Sequence, residues 1–360
     1  MVDKQWIHDR IARRVLQWAV RHAILHGEHF ATYHERPKRA SQVGTWPERG
    51  ATAKGCTIVM QGPIATDDDF TRETMALYAR HFPECRLILS TWSDTPNALL
   101  DPIRQLGVEI VLSDKPQLAG LFNVNMQLTT AGAGVRAAVA GGAEWILKTR
   151  TDQRLYNPDA IAYLIALAQA FPVAPGFRQR HRIVGVGQGS LKFAPYHITD
   201  QTVFGHAEDM LRYWTPPLLD TQRPAHWPEN LAEIYLQTPI KELCKTASPE
   251  CHITSSFLLS IGRTLDWSLQ DSWAAFRDHF CFADYATTDF YWVKGQTYSL
   301  REFSNVYDKV SNRQEFTFRE WLLMYNGTLK PEHAQRYEGV LATRFTDAVV
   351  PSPTATELSL

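Results

Sequence analysis

Lys148, Arg150 and Arg154 place three cations within seven residues, around one carboxylate, Asp152. The preceding run, Glu144-Trp-Ile-Leu-Lys-Thr149, has the apolar character of a buried strand. The charged group therefore falls at a strand end. Cations there suit the neutralisation of a leaving diphosphate, the main electrostatic task in transfer of an activated sugar. Asp152 is expected to contact a donor-sugar hydroxyl or a divalent metal. The plainer alternative is a solvated cluster of ion pairs.

In open parallel sheets, ligands bind beyond the carboxyl ends of the strands. Read along that edge, the strand Thr57–Pro63 delivers Gln61, Gly62 and Pro63, expected to line a base or ribose pocket. Arg86–Trp92 delivers Thr91 and, just beyond it, Asp94. Asn125, in the Asn123–Gln127 turn, and Gln153 complete the donor-binding set with Lys148, Arg150 and Arg154. Direct displacement at a sugar carbon also needs a carboxylate within reach of the attacking hydroxyl. Asp200, Asp209, Glu229 and Glu233 are the candidates. Glu233, on a helix opened by Pro228, ranks first and Asp200 second, against plainer readings as a helix-surface glutamate and a turn or cap residue.

The elements that must position these residues alternate. Strands at 57–63, 86–92, 108–112 and 144–149 are separated by helices at 67–82, 96–106 and 124–140, which predicts a mainly parallel sheet flanked by helices. A helix at 157–171 and strands at 182–186 and 202–204 follow. The second half then turns helical and aromatic, with helices near 206–214, 229–245 and 252–262 and a frayed tail from Ala348 to Leu360. The expected organisation is a basic helix and linker over 1–50, a catalytic domain over 51–300 and a C-terminal helical extension and tail over 301–360. Within the domain, 57–155 is the nucleotide-binding half and 156–300 the acceptor half.

The order of several motifs resembles the WavE lipopolysaccharide-synthesis family, whose members look like glycosyltransferases of the GT-A type. The motifs are Ile58-Val-Met-Gln-Gly-Pro63, Phe82-Pro83, Leu87-Ile-Leu-Ser-Thr-Trp92, Leu147-Lys-Thr-Arg-Thr-Asp-Gln-Arg154 and His197-Ile-Thr-Asp200. Phe204-Gly205, Asp209-Met210, Tyr213-Trp214 and the 228–235 segment extend the likeness, which spans roughly residues 57–295. It implies a GT-A-like α/β fold, a nucleotide-sugar donor and a cell-surface glycan or glycolipid acceptor. Two departures stand out. Where a GT-A site commonly carries two acids flanking one residue, Thr151-Asp152-Gln153 has one, so a bound Mn2+ or Mg2+ and metal-free use of the cations both stay open. Met126 stands where a basic residue is expected.

Composition narrows the partners. A formal charge of -1 over 360 residues, 44% of them hydrophobic, suits a globular enzyme and argues against a general nucleic-acid binder. Five scattered cysteines show no CxxC spacing, and no apolar run of about 18 residues marks a transmembrane helix. A cytoplasmic protein is expected. Between Met1 and Ala40, eight Lys/Arg face four Asp/Glu, and Ile7, Ile11, Val15, Trp18 and Leu25 recur at helical spacing. Residues 3–26 thus read as a helix that either docks on the domain or lies on the inner face of the cytoplasmic membrane. His22 and His26 stand four apart there, with a solvated face the plainer reading than a metal site.

Two rivals remain. Gly132-Ala-Gly-Val-Arg-Ala137 fits a dinucleotide fingerprint, with Asp152 20 residues after Gly132, which would make an NAD(P)-dependent oxidoreductase; the segment before it is too polar for the required strand. The single acid also leaves room for a non-catalytic partner in glycan assembly.

Overall fold

In the computed structural model the described residues are 4–26, 35–44, 53–187, 189–220, 223–230, 233–234, 237–246, 248–293 and 315–345. They form two compact units, Met1–Pro37 and Lys38–Leu360.

The first unit is helix α1, Lys4–His26. Ile11, Val15, Trp18 and Leu25 are exposed along it, and Trp18 stacks on His22.

The larger unit is built on a sheet of seven strands. The strands are β1 (Cys56–Gln61), β2 (Arg86–Trp92), β3 (Glu109–Ser113) and β4 (Trp145–Arg150), then β6 (Ile183–Val186), β7 (Thr202–His206) and β8 (Phe280–Ala283). Their order is β3-β2-β1-β4-β7-β6-β8. The first four are parallel, β7 is antiparallel to both neighbours, and β6 and β8 are parallel to each other. β1 is buried along its whole length because strands cover both its edges and helices flank the sheet. Such a strand reads as a continuous apolar run, which is why β1, β2 and β4 are legible in the sequence. A second sheet pairs β5 (Gln153–Leu155) with β9 (Phe290–Trp292).

Helices α2 (Phe70–His81), α3 (Asn97–Arg104), α4 (Val124–Ala140), α5 (Ala160–Ala170) and α6 (Ala207–Trp214) connect these strands. α4 buries Val124, Leu128, Ala131, Val135 and Ala138 on one stripe. A Cβ on Gly132 would stand 2.9 Å from the Trp214 carbonyl oxygen, and one on Gly134 2.9 Å from Ser90 Cβ. The glycines of the dinucleotide-like run therefore let a mid-helix segment close on its neighbours. They do not form the strand-to-helix turn that a pyrophosphate needs.

The second half adds α7 (Ile240–Thr246), α8 (Pro249–Ser260), α9 (Leu269–His279), α10 (Tyr285–Thr288) and α11 (Phe318–Tyr325). The sequence pattern gave no element for β5, α9, β8, α10 and β9, and placed α11 only within a helical stretch over 301–360. Trp321, on α11, is fully buried and donates to the Phe276 carbonyl at 3.1 Å, so this helix packs into the core against α9. The acids at 67–69 precede α2 as a short 3-10 turn, with Asp68 and Asp69 left-handed, so the helix starts at Phe70. All five cysteines are free and buried. The tail from Ala348 lies outside the described residues, as do parts of the expected linker, of the 228–235 segment and of the 229–245 helix.

Candidate active site at the end of the fourth strand

Lys148, Arg150 and Arg154 look alike in sequence but have different surroundings. Lys148 is fully buried; its Nζ donates to the backbone carbonyls of Asp200 at 2.5 Å and Gln201 at 3.1 Å, and sits 4.1 Å over the Trp214 ring. Burial pushes its pKa down to about 7, against the pull of Asp200 and Asp152. It is a clamp on the 200–201 turn, closed off from a leaving phosphate.

Arg154 is 1% exposed, on β5 beyond the turn. Its Nε donates to Thr74 Oγ1 at 2.8 Å, Nη1 to the Lys38 carbonyl and Tyr156 hydroxyl at 3.0 Å, and Nη2 to the Phe70 carbonyl at 3.1 Å. The guanidinium ties β5 to the start of α2 and to the chain at 38. Its donors face protein.

Arg150 stands at the strand end, where the polar edge begins. Its Nε and Nη2 each donate to one oxygen of Asp152 at 3.0 Å, a two-pronged pair. Burial works against the Arg150 charge, yet the Asp152 carboxylate more than compensates and holds its pKa above the usual value; Asp200 and Glu250 act in the same sense. Trp292 Nε1 reaches Asp152 Oδ2 at 3.3 Å, and its ring lies 5.9 Å from the Arg150 guanidinium. Asp152 is thus fixed by two neighbours while it stays at the edge.

The other expected donor residues divide in the same way. Gln61 is 8% exposed at the end of β1, and its Oε1 is buried without a hydrogen-bond partner among the described residues. Gly62, at φ +120°, lets the chain turn there, and Thr151 Oγ1 donates to the Pro63 carbonyl at 2.6 Å. The β1 turn and the Asp152 turn are therefore stitched together. Thr91 is buried beside Thr95. Asp94 is exposed and paired with Lys115 at 2.5 Å.

Asn125 is a packing clamp: its amide nitrogen donates to the Leu118 and Leu219 carbonyls and its oxygen accepts from the Leu219 N–H. Gln153, fully buried, bonds Gln201 and Thr202 through its two amide atoms. Both have their polar atoms taken up by the protein.

On the acceptor side, Asp200 follows the buried Tyr196-His197 segment, and its backbone carbonyl is held by Lys148 and by Gln127 at 3.0 Å. Its carboxylate bears on the charges of Lys148, Arg150 and Glu250, so it belongs to this cluster. Glu233 is exposed on a helical turn, and no described contact joins it to Asp152 or Asp200. Glu229 is likewise exposed. Asp209 is fully buried and accepts from the Arg180 and His181 N–H groups, a structural role.

The acid that the sequence reading missed is Glu250. It lies in the first turn of α8, behind Ser248, which caps the helix, and Pro249. Its Oε2 stands 3.6 Å from His197 Nε2. Burial raises its pKa; His197 pulls it down and Asp200 pushes it up. In sequence, Ser-Pro-Glu is an ordinary helix start, and nothing local ties it to His197.

A divalent ion takes several oxygen ligands. Both oxygens of Asp152 accept from Arg150, and among the described residues no three His, Cys, Asp or Glu side chains gather as a ligand set. Among the described residues, the side chains around Asp152 do not by themselves make an Mn2+ or Mg2+ site.

Fold and site together describe a mixed α/β protein whose sheet presents a half-buried arginine–carboxylate pair at the end of one strand, with two further acids whose charges bear on it. Residues 56–347 match the WavE lipopolysaccharide synthesis family, most of the chain, and the protein belongs to that family. Its role accordingly lies in lipopolysaccharide synthesis. No curated protein matches it. Among solved structures, mannose-1-phosphate geranyltransferase from Thermus thermophilus is similar at 17% identity over 39% of this chain and 44% of that one, with a TM-score of 0.25, too low to carry an argument.

Proposed function

We propose that the protein is a GT-A-type glycosyltransferase that moves a sugar from a nucleotide-activated donor to a glycan or glycolipid acceptor. The observation that carries this is the Arg150–Asp152 pair at a strand end, with the charges of Asp200 and Glu250 acting on Arg150. Among the described residues, carboxylates outnumber charged donors there. The edge therefore suits a hydroxyl-rich sugar and a proton acceptor, with Arg150 as the one cation of the original three placed to meet the leaving diphosphate. Asp152, held in register by Arg150 and Trp292, orients a donor-sugar hydroxyl.

A thermal-shift screen against UDP-, GDP-, ADP-, dTDP- and CMP-sugars tests the reading. A ligand bound only by the folded state at a hundredfold excess over Kd adds about 2.7 kcal/mol. A rise with one nucleotide family supports transfer. A rise with NAD(P) alone would turn the assignment to an oxidoreductase, and none with any nucleotide would turn it to a non-catalytic partner.

The same reading places the enzyme at an anionic membrane surface through α1. Trp18 is 67% and Leu25 76% exposed on the stripe that Arg10, Arg14 and Arg21 flank. Among the described residues no helix is long and apolar enough to cross a bilayer, so contact would be interfacial. Co-sedimentation with phosphatidylglycerol vesicles should be lost on Trp18→Ala with Arg14→Glu; retention by that variant would reject α1 as the contact.

A further inference from the structure

His197 is 3% exposed, and its Nδ1 lies 2.8 Å from the Gly189 carbonyl oxygen. A carbonyl can only accept, so Nδ1 carries a hydrogen and Nε2 is the atom free to take a proton. Nε2 is buried, has no hydrogen-bond partner among the described residues, and faces Glu250 Oε2 at 3.6 Å. The Gly189 N–H in turn donates to Glu315 Oε1 at 2.9 Å, which fixes the loop that orients the ring. Ser248 Oγ donates to Glu250 Oε2 at 2.8 Å and holds the carboxylate from the other side. Glu250 keeps 22% of its side chain exposed, against 3% for His197, so it is the member of the pair that a substrate can touch.

We propose that Glu250 is the base that deprotonates the acceptor hydroxyl, and that His197 is the positioning residue that holds its charge and orientation. This rests on the transferase reading above. In the step, the acceptor oxygen forms a bond to the anomeric carbon while the bond from that carbon to the donor phosphate oxygen breaks. The electron pair of the broken bond leaves with the nucleoside phosphate. The hydroxyl proton passes to the Glu250 carboxylate, beside His197 Nε2, and returns to solvent. Among the described residues, the charged and titratable groups that act on Glu250 or feel its charge are His197, Asp200, Arg150, Tyr213 and Cys251, and Ser248 hydrogen-bonds it.

The sign of the pH dependence follows. Glu250 must be ionised to act, so turnover falls on the acid side as its carboxyl, raised by burial, takes up a proton. His197 draws that pKa down, so its removal should move the acid limb to higher pH.

The test uses the full chain, the panel of UDP-, GDP-, ADP-, dTDP- and CMP-sugars, and nucleotide release as the readout, with calorimetric binding of the same sugar nucleotide alongside. Glu250→Gln should lower turnover about 100-fold or more with affinity within threefold of wild type, the range for loss of a general base. His197→Gln should lower turnover less and shift the acid limb upward. Glu250→Asp, which keeps the charge, should retain more turnover than Glu250→Gln and provides the reading if the amide variant does not fold. Wild-type-like turnover in Glu250→Gln, or an unmoved acid limb in His197→Gln, would overturn the proposal and leave the transferase reading standing. Failure of the wild type to bind any sugar nucleotide would overturn both.

Discussion

Replacing Arg154 with lysine separates a structural cation from a phosphate ligand. Its guanidinium donates to Thr74, Lys38, Tyr156 and Phe70, and lies 4.4 Å from the centre of the Phe70 ring and 5.3 Å from that of Tyr156. A lysine has one nitrogen in place of three and cannot span partners on α2, on the chain at 38 and on the Tyr156 ring together. Hydrogen bonds from a charged group contribute roughly 1.5–3 kcal/mol each, so loss of two predicts a destabilisation of about 3–6 kcal/mol. At roughly 2 °C per kcal/mol for a unit of this size, Tm should drop by about 6–12 °C. Urea denaturation and calorimetry read the stability, and titration with the sugar nucleotide reads the site. The account expects a large loss of stability with nucleotide affinity little changed below the new Tm. A variant with wild-type Tm and at least tenfold weaker nucleotide binding would refute the assignment of Arg154 to the scaffold.

Other substitutions follow the same geometry. Asn125→Ala removes the bonds to Leu118 and Leu219 and should cost about 2–4 kcal/mol in denaturant unfolding, with turnover at 20 °C nearly intact. Lys148 has a folded-state pKa of about 7 against 10.5 for the free side chain. Between those values the unfolded chain binds a proton that the folded chain does not, so stability relative to Lys148→Met should rise from pH 7 towards pH 10 and be flat below pH 7. Parallel unfolding curves at pH 6, 8 and 9.5 would contradict this. Asp152→Asn leaves Arg150 without its main partner; turnover should fall by about 100-fold or more, and full turnover in a folded variant would remove Asp152 from the site.

The sheet was largely readable from sequence because strands buried on both faces are short apolar runs bounded by turns, as in Thr57–Gln61 and Trp145–Leu147. α4 was readable for the opposite reason, a long stretch with apolar residues at helical spacing. α9, β8 and β9 were not, and α11 only as part of a helical stretch over 301–360. There Trp273, Phe276, Phe280, Phe282 and Trp321 fill a common core, and aromatic density masks both the two-residue and the 3.6-residue period.

The sequence put Asp152 at the end of a strand, where the structure has it, but could not sort the three cations around it. Strand alternation turns Lys148 and Arg150 to one face, yet only tertiary structure closes the 200–201 turn over Lys148. Arg154 lies past Asp152 in a separate sheet, where its surroundings come from α2 and the chain at 38. Glu250 was invisible for a related reason. Its partner, His197, is 53 residues away, and a contact at that separation leaves no local pattern. Glu233 drew attention through its place in a motif, and the structure leaves it exposed.

The central claim is that a sugar nucleotide is bound and turned over where Arg150 and Asp152 meet. Calorimetric titration of wild type and Arg150→Ala with UDP-, GDP-, ADP-, dTDP- and CMP-sugars tests it most directly. The account predicts saturable binding of one nucleotide family by the wild type and at least tenfold weaker binding by folded Arg150→Ala. Equal affinity in the two proteins, or binding of none of the sugar nucleotides by the wild type, would contradict it.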